Sequence, residues 1–100
     1  IGIFSVGDTL PIAVVCRNGS LVPTAPDAAP AYSIYEQDTF SSPQTGNLSG
    51  SDTDSKTGFR TGSHTLSAAN GFESGKVYSV YVSYAISSTN YAQTGHFQVV

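Results

Sequence analysis

The side chains that could carry nucleophilic catalysis are few and far apart along the chain. His64 and His96 are its two histidines, and Ser63 is the serine next to the first of them. A hydrolytic site needs a nucleophile, a base and an orienting group within hydrogen-bond reach of one another. Residues adjacent along a strand point to opposite faces of a sheet, so Ser63 and His64 cannot form a dyad. We interpret both histidines as exposed strand residues and predict that the protein is not an enzyme, with no catalytic residue and no cofactor.

The carboxylates predict neither an acid–base pair nor a metal centre. Of the seven acidic residues, all but Glu36 fall in predicted loops or turns at strand ends. Residues 52–54, with the sequence Asp-Thr-Asp, match the first half of a calcium-binding loop. Such a loop requires an oxygen ligand, a glycine and a glutamate at its fifth, sixth and twelfth positions. Here these positions hold Lys56, Thr57 and Ser63. The sequence has no cluster of cysteines and histidines of the kind that binds zinc. We therefore predict no metal.

Aromatic side chains offer a different chemistry, that of contact surfaces. The chain has six tyrosines and five phenylalanines but no tryptophan. In the strand predicted at residues 76–86, Tyr81 shares its face mostly with small side chains, and Tyr35 alternates outward in the same way. Tyrosine is favoured at protein interfaces, so we predict partner contacts by Tyr35, Tyr81, Phe40 and Tyr91. The alternative interpretation is that Tyr35 and Tyr81 form a cross-strand pair with each other.

Length and charge limit the classes of protein to which this chain can belong. One hundred residues make one domain, spanning 1–100. The formal net charge is −3 and the charged fraction is 11%. Because no stripe of Lys and Arg exists to neutralise phosphates, we predict neither a nucleic-acid partner nor a membrane partner. The single cysteine, Cys16, continues an apolar alternation, which predicts a buried thiol rather than a disulfide.

The elements that must position these residues are short strands. Alternating apolar and polar residues bounded by Gly, Asn, Asp and Pro predict an all-β fold, a sandwich of two antiparallel sheets with seven or eight strands. The polar stretch 38–56 is predicted to hold one weak edge strand, and residues 41–55 to be the least ordered part of the isolated domain. The predicted core consists of Leu10, Ile12, Val14, Tyr32, Ile34, Phe59, Leu66, Tyr78, Val80, Val82, Phe97 and Val99.

Three stretches resemble known domains. Residues 4–12, Phe-Ser-Val-Gly-Asp-Thr-Leu-Pro-Ile, resemble the opening of immunoglobulin-like and macroglobulin-like domains of bacteria and phages, where Gly-Asp-Thr carries the chain from one sheet to the other. Residues 71–80, Gly-Phe-Glu-Ser-Gly-Lys-Val-Tyr-Ser-Val, resemble the approach to strand F of those domains. There a tyrosine, here Tyr78, ties its hydroxyl back to the preceding corner. Residues 26–35, Pro-Asp-Ala-Ala-Pro-Ala-Tyr-Ser-Ile-Tyr, resemble small structural proteins that decorate phage heads or tails.

The resemblance implies an immunoglobulin-like β-sandwich in a tailed-phage structural protein. Its expected function is that of a capsid decoration (cement) or tail-accessory domain, which binds major capsid or tail subunits in a multimeric setting within the virion. The alternative is an adhesion or carbohydrate-binding module of a larger bacterial protein, secreted or at the cell surface. A sugar site at one end of the sandwich would draw on Asp38, Asp52, Asp54 and Asn90, with Tyr91 and Phe40 nearby. The absence of tryptophan weakens this alternative.

Overall fold

The fold is nearly all strand. A computed structural model of the chain describes residues 2–40 and 44–100. Within them, two short 3₁₀ helices lie at Thr53–Ser55 and Ala68–Asn70, and no helix there has the length and apolarity needed to span a membrane. The seven strands of the described residues are β1 (Gly2–Phe4), β2 (Thr9–Val15), β3 (Ala31–Glu36), β4 (Gln44–Asn47), β5 (Phe59–Thr65), β6 (Val77–Ile86) and β7 (Thr89–Val99).

The strands form two sheets, of five strands in the order β1-β7-β6-β3-β4 and of two strands, β2-β5. The prediction that both sheets are antiparallel is wrong at one position, because β1 pairs with β7 in parallel. Nearly the whole domain separates these two strands in sequence, so no hairpin dictates their relative direction. The step at Gly7 and Asp8 carries the chain from β1 in one sheet to β2 in the other, as predicted, and Gly7 there has a φ of 96°.

Side-chain alternation along the strands builds the core between the two sheets. Eleven of the twelve predicted core residues are buried, and so is Cys16. Burial also raises the pKa of the Cys16 thiol. Phe59 was predicted to join them but is only half-buried. The register pairs Val14 with Arg60 and Val15 with Phe59. Arg60 therefore occupies the inner face of β5 and Phe59 the outer face.

Residues from the polar stretch complete the inner face of β5. The predicted weak edge strand is confirmed as β4, and the chain then crosses toward β5 with Leu48 buried. A Cβ atom added at Gly62 would lie 2.9 Å from Cδ2 of Leu48, so this glycine makes room for the leucine. Arg60, only 5% exposed, donates from Nε to Oδ1 of Asp52 at 3.1 Å. The order predicted for residues 41–55 stays a prediction, and 41–43 lie outside the described residues.

The corner before β6 is closed by a tyrosine. The hydroxyl of Tyr78 accepts a hydrogen bond from the backbone N–H of Glu73 at 2.9 Å. This confirms the prediction that Tyr78 ties back to the corner that precedes its strand. The Tyr78 ring is buried and stacks on Phe97 of β7, with ring centroids 5.5 Å apart. The hydrogen bond and the stacked rings together fix the start of β6, the central strand of the larger sheet.

Candidate binding site

The outer face of the five-stranded sheet carries a concavity of about 440 Å³. Strands β3, β6 and β7 and the loop after β3 supply its walls. We call it the aromatic concavity, because three of the four residues predicted to contact a partner meet there. Its lining residues are Tyr35, Gln37, Phe40, Ser79, Tyr81, Thr94, Gly95 and His96.

Strand alternation places the two tyrosines of the aromatic concavity. Ile34 of β3 and Val80 of β6 point into the core, so their neighbours Tyr35 and Tyr81 point outward. The register sets Tyr35 opposite Ser79 and Tyr81 opposite Ser33. The tyrosines are therefore diagonal neighbours rather than directly opposed, and the alternative that they pack on each other as a cross-strand pair stays a prediction. Ser79, the small residue opposite Tyr35, lines the concavity.

Phe40 is the most unusual residue of the aromatic concavity. It lies just after β3, and its backbone N–H donates to the carbonyl of Glu36 at 2.8 Å. Its ring is 79% exposed and its φ is 56°, in the left-handed region. A side chain of this size in that region costs about 1–2 kcal/mol, and exposure of the ring recovers none of it. Leu21 has a similar exposure and a similar positive φ, so what distinguishes Phe40 is its place in the aromatic concavity.

Polar groups surround the rings, and none of the described residues that line the aromatic concavity is acidic, lysine or arginine. Nε2 of Gln37 donates to Oγ of Ser79 at 2.8 Å, which holds this amide against the sheet. His96, opposite Ser79 on β7, is exposed as predicted. The surface combines ring faces with uncharged hydrogen-bonding groups. It can bind a partner by apolar contact and neutral hydrogen bonds, without ion pairs.

Tyr91, the fourth predicted contact residue, lies elsewhere. It shares the inner parity of Phe97 and Val99 on β7 and stacks on Tyr84, with ring centroids 5.7 Å apart. A Cβ atom added at Gly19 would lie 3.5 Å from its hydroxyl, which places that hydroxyl beside the loop after β2. The sequence predicts this orientation, because alternate residues of a strand share a face and Tyr91 is an odd-numbered residue of the same strand as the inward Phe97 and Val99. A partner contact by Tyr91 stays a prediction, separate from the aromatic concavity.

His64 corrects the interpretation of both histidines as exposed. It pairs with Leu10 on the inner face of the two-stranded sheet and is half-buried. Its Nδ1 lies 2.8 Å from the Tyr32 hydroxyl, while its buried Nε2 has no hydrogen-bond partner among the described residues. Burial lowers the pKa of His64 and raises that of Tyr32. The sequence signal was weak, since the flanking residues of β5 are polar on both faces.

The residues proposed for a sugar or calcium site do not form one cluster. Phe40 follows the end of β3, whereas Asn90 pairs with Ala85 near the far end of β6. Oδ1 of Asp52 is engaged, since it accepts from Nε of Arg60 and from the backbone N–H of Gly58. Among the residues that the structure describes, no three of His, Cys, Asp or Glu come together in a way that could hold a metal ion.

Comparison with known proteins gives no match to a family model, to a curated protein or to a solved structure.

Proposed function

We propose that the chain is an immunoglobulin-like binding domain without catalytic activity, which decorates a tailed-phage capsid or tail by attaching to other virion subunits. The observation that carries the proposal is the aromatic concavity, with a strained and exposed Phe40 beside two outward tyrosines. Such a surface is suited to non-covalent binding rather than to catalysis. The localisation that follows is the virion.

The strand arrangement supports the immunoglobulin-like assignment. β2 and β5 face a sheet in which β7, β6 and β3 are neighbours, as expected of two-sheet domains with Greek-key connections. The hydrogen bond from Glu73 to the Tyr78 hydroxyl has the position and span of the tyrosine corner found near the start of strand F in that fold.

The composition of the aromatic concavity supports a protein partner. The buried centres of protein interfaces are depleted in charge and enriched in aromatic residues, with a polar rim. Burial of a phenylalanine ring stabilises a complex by about 1.5–3 kcal/mol, which is roughly a tenfold to hundredfold gain in affinity. Attachment to a repeated lattice adds avidity, so that a modest affinity at each site is sufficient.

A carbohydrate partner is the second candidate, and Gln37 favours it. An amide beside three aromatic rings could hydrogen-bond a sugar hydroxyl while a ring stacks on the sugar face. Under this alternative the chain would be an adhesion or carbohydrate-binding module at a bacterial surface or secreted from it. The same residues would carry both functions, so the ligand must be tested directly.

The test compares binding to virus particles that lack the protein with binding to a glycan array, with and without calcium. Phe40→Ala and Tyr81→Ala should each weaken particle binding by about tenfold or more. Leu21→Ala is the matched control, since Leu21 is 74% exposed and lies outside the aromatic concavity. Saturable sugar binding lost in Phe40→Ala would establish the carbohydrate alternative instead. Binding to neither, or particle binding unaffected by both variants, would contradict the proposal.

A further inference from the structure

The dipeptide Asn-Gly occurs twice in the chain, at residues 18–19 and 70–71. An asparagine amide that precedes glycine can react with its own backbone, because no side chain shields the nitrogen of the glycine. The two sites are matched in exposure, since each asparagine is half-buried and each glycine is exposed. They differ in the hydrogen bonds of the groups that would react.

The reaction is an intramolecular acyl transfer. The backbone nitrogen of the glycine loses its proton and attacks Cγ, the side-chain carbonyl carbon of the asparagine. The bond from Cγ to Nδ2 breaks, and Nδ2 takes up that proton and leaves as ammonia. Water then adds its hydroxide to one of the two carbonyls of the succinimide ring and its proton to the ring nitrogen, which gives aspartate or isoaspartate. A free N–H, a free Nδ2 and a stabilised oxygen on Cγ therefore favour the reaction.

All three conditions hold at Asn18. Its Oδ1 accepts hydrogen bonds from the backbone N–H groups of Ser20 and Val22, at 2.9 and 3.1 Å. Two such donors stabilise the negative charge that this oxygen gains when Cγ is attacked. Among the described residues, neither Nδ2 of Asn18 nor the backbone N–H of Gly19 has a hydrogen-bond partner. The leaving group and the nucleophile are both available.

Backbone hydrogen bonds fix the turn around Asn18. Its N–H donates to the carbonyl of Val22 at 3.0 Å, and its carbonyl accepts from the N–H of Leu21 at 2.9 Å. A bridge between Arg17 and Pro23 closes the loop just outside the turn. The two donors to Oδ1 are therefore in position before the attack, and no reorganisation is needed when charge develops on the oxygen.

At Asn70 the same groups are arranged in the opposite way. Its Nδ2 donates to the carbonyl of Thr65 at 3.2 Å, and the N–H of Gly71 donates to the carbonyl of Ala68 at 3.0 Å. Among the residues that the structure describes, none donates to Oδ1 of Asn70. Attack by Gly71 would break one hydrogen bond and departure of Nδ2 another, with no stabilised oxygen in return.

We infer that Asn18 is a site of spontaneous deamidation in the folded domain, and that the fold protects Asn70. Water is the one reactant that comes from outside the chain. An aspartate at this position keeps a carboxylate oxygen for the N–H groups of Ser20 and Val22. An isoaspartate routes the main chain through Cβ and Cγ, which lengthens the loop by one backbone atom and disrupts the turn. Either product makes the net charge more negative than −3.

Peptide mapping by mass spectrometry measures both sites in the same molecule, with the full chain incubated at mildly alkaline pH. In the folded domain, deamidation should be about tenfold faster or more at Asn18 than at Asn70. In guanidinium chloride, where neither site keeps its hydrogen bonds, the two rates should become similar. Equal rates in the folded domain, a faster rate at Asn70, or an unreactive Asn18 in a chain that reacts when unfolded would each overturn the inference.

Gly19→Ala tests the attacking nitrogen. A Cβ atom at this position would lie 3.5 Å from the Tyr91 hydroxyl, an ordinary contact, so the loop should keep its conformation. The methyl group shields the nitrogen, so deamidation at Asn18 should become severalfold slower while that at Asn70 is unchanged. Asn18→Asp supplies the aspartate product as a chromatographic standard, which distinguishes it from isoaspartate. Unchanged deamidation at Asn18 in Gly19→Ala would contradict attack by this nitrogen and overturn the inference.

Discussion

His64 is a residue at which burial disfavours the protonated, charged form of the side chain. Its imidazole lies on the inner face of β5 near Tyr32 and Phe72, and burial lowers its pKa below the ordinary value of 6.5. The unfolded chain therefore binds a proton at higher pH than the folded domain does. The free energy of unfolding should be insensitive to His64 above about pH 6.5, and should decrease as the pH falls from there to the lower pKa of the folded state.

Urea titrations at several pH values between about 7.5 and 5 would measure this dependence, in a range that lies above the ordinary pKa of carboxylates. His64→Gln should remove it, because the variant has no titrating group at that position. His96→Gln is the control and should retain it, since His96 is exposed on the outer face. A wild type and His64→Gln variant with parallel pH profiles would show that His64 is solvated in the folded domain.

Asp52 is a residue of the polar stretch with a structural role. Its Oδ1 accepts from the buried guanidinium of Arg60 and from the N–H of Gly58. Arg60 is buried but the Asp52 side chain is 31% exposed, so water screens part of the interaction. Asp52→Ala should therefore lower the free energy of unfolding by about 1–2 kcal/mol. Combination with Arg60→Leu should restore most of that loss, as measured by urea denaturation. A double variant less stable than Asp52→Ala would show that the Arg60 side chain stabilises mainly by packing.

At the scale of elements, the β6–β7 hairpin has a turn that its residues do not favour. Ser87 and Ser88 have φ values of 49° and 65°, both left-handed. Asp27 stabilises the turn, since its carboxylate accepts from the backbone N–H groups of both serines at 3.0 and 2.9 Å. Two-residue turns with positive φ prefer Asn-Gly. Ser87→Asn with Ser88→Gly should raise the free energy of unfolding by about 1 kcal/mol.

Chemical denaturation would measure this gain, with Ser88→Ala as the control. Alanine has no tolerance of positive φ and should give no stabilisation. Because the Asp27 bonds go to backbone groups, they persist in both variants. A gain of equal size in Ser88→Ala would mean that the serine side chain, rather than backbone strain, limits the turn.

Element by element, predictability followed the strength of local alternation. β2, β3 and β6 alternate apolar and polar residues strongly, so their faces, and with them the outward Tyr35 and Tyr81, were predictable. β5 was not, because its inner residues are Arg60, Gly62 and His64. Each of these residues fits the inner face because of a contact with a residue outside β5: Arg60 with Asp52, Gly62 with Leu48 and His64 with Tyr32. A local sequence pattern does not reveal such contacts.

Within the site, the loop after β3 shows the same limit. The sequence indicated Phe40 as a contact residue by its type, but neither its left-handed backbone nor its position beside Tyr35 and Tyr81 could be predicted. Its placement depends on the N–H bond to Glu36 and on the register of β3 with β6. The left-handed conformation of Phe40 is a property of the folded chain alone.

At the scale of the whole molecule, we expect the strained backbone of the proposed binding surface to lower the free energy of unfolding of the domain. Phe40 and Leu21 are matched in this respect, since both are more than 70% exposed and have positive φ, 56° and 63°. Only Phe40 lines the aromatic concavity. Phe40→Gly and Leu21→Gly should each relieve backbone strain, and each should raise the free energy of unfolding by about 0.5–1 kcal/mol after the extra entropy of glycine in the unfolded chain is deducted.

The two variants should differ in function. Phe40→Gly should lose particle binding while becoming more stable, whereas Leu21→Gly should become more stable and bind as the wild type does, as measured by urea denaturation and particle binding on the same preparations. This separation follows because the domain gains nothing from the Phe40 ring until a partner covers it, and ring burial of about 1.5–3 kcal/mol then exceeds the strain. A Phe40→Gly variant that is destabilised would show that the ring packs on the sheet in the free domain. Loss of binding in Leu21→Gly would place the contact surface at the opposite end of the sandwich, beside Tyr91.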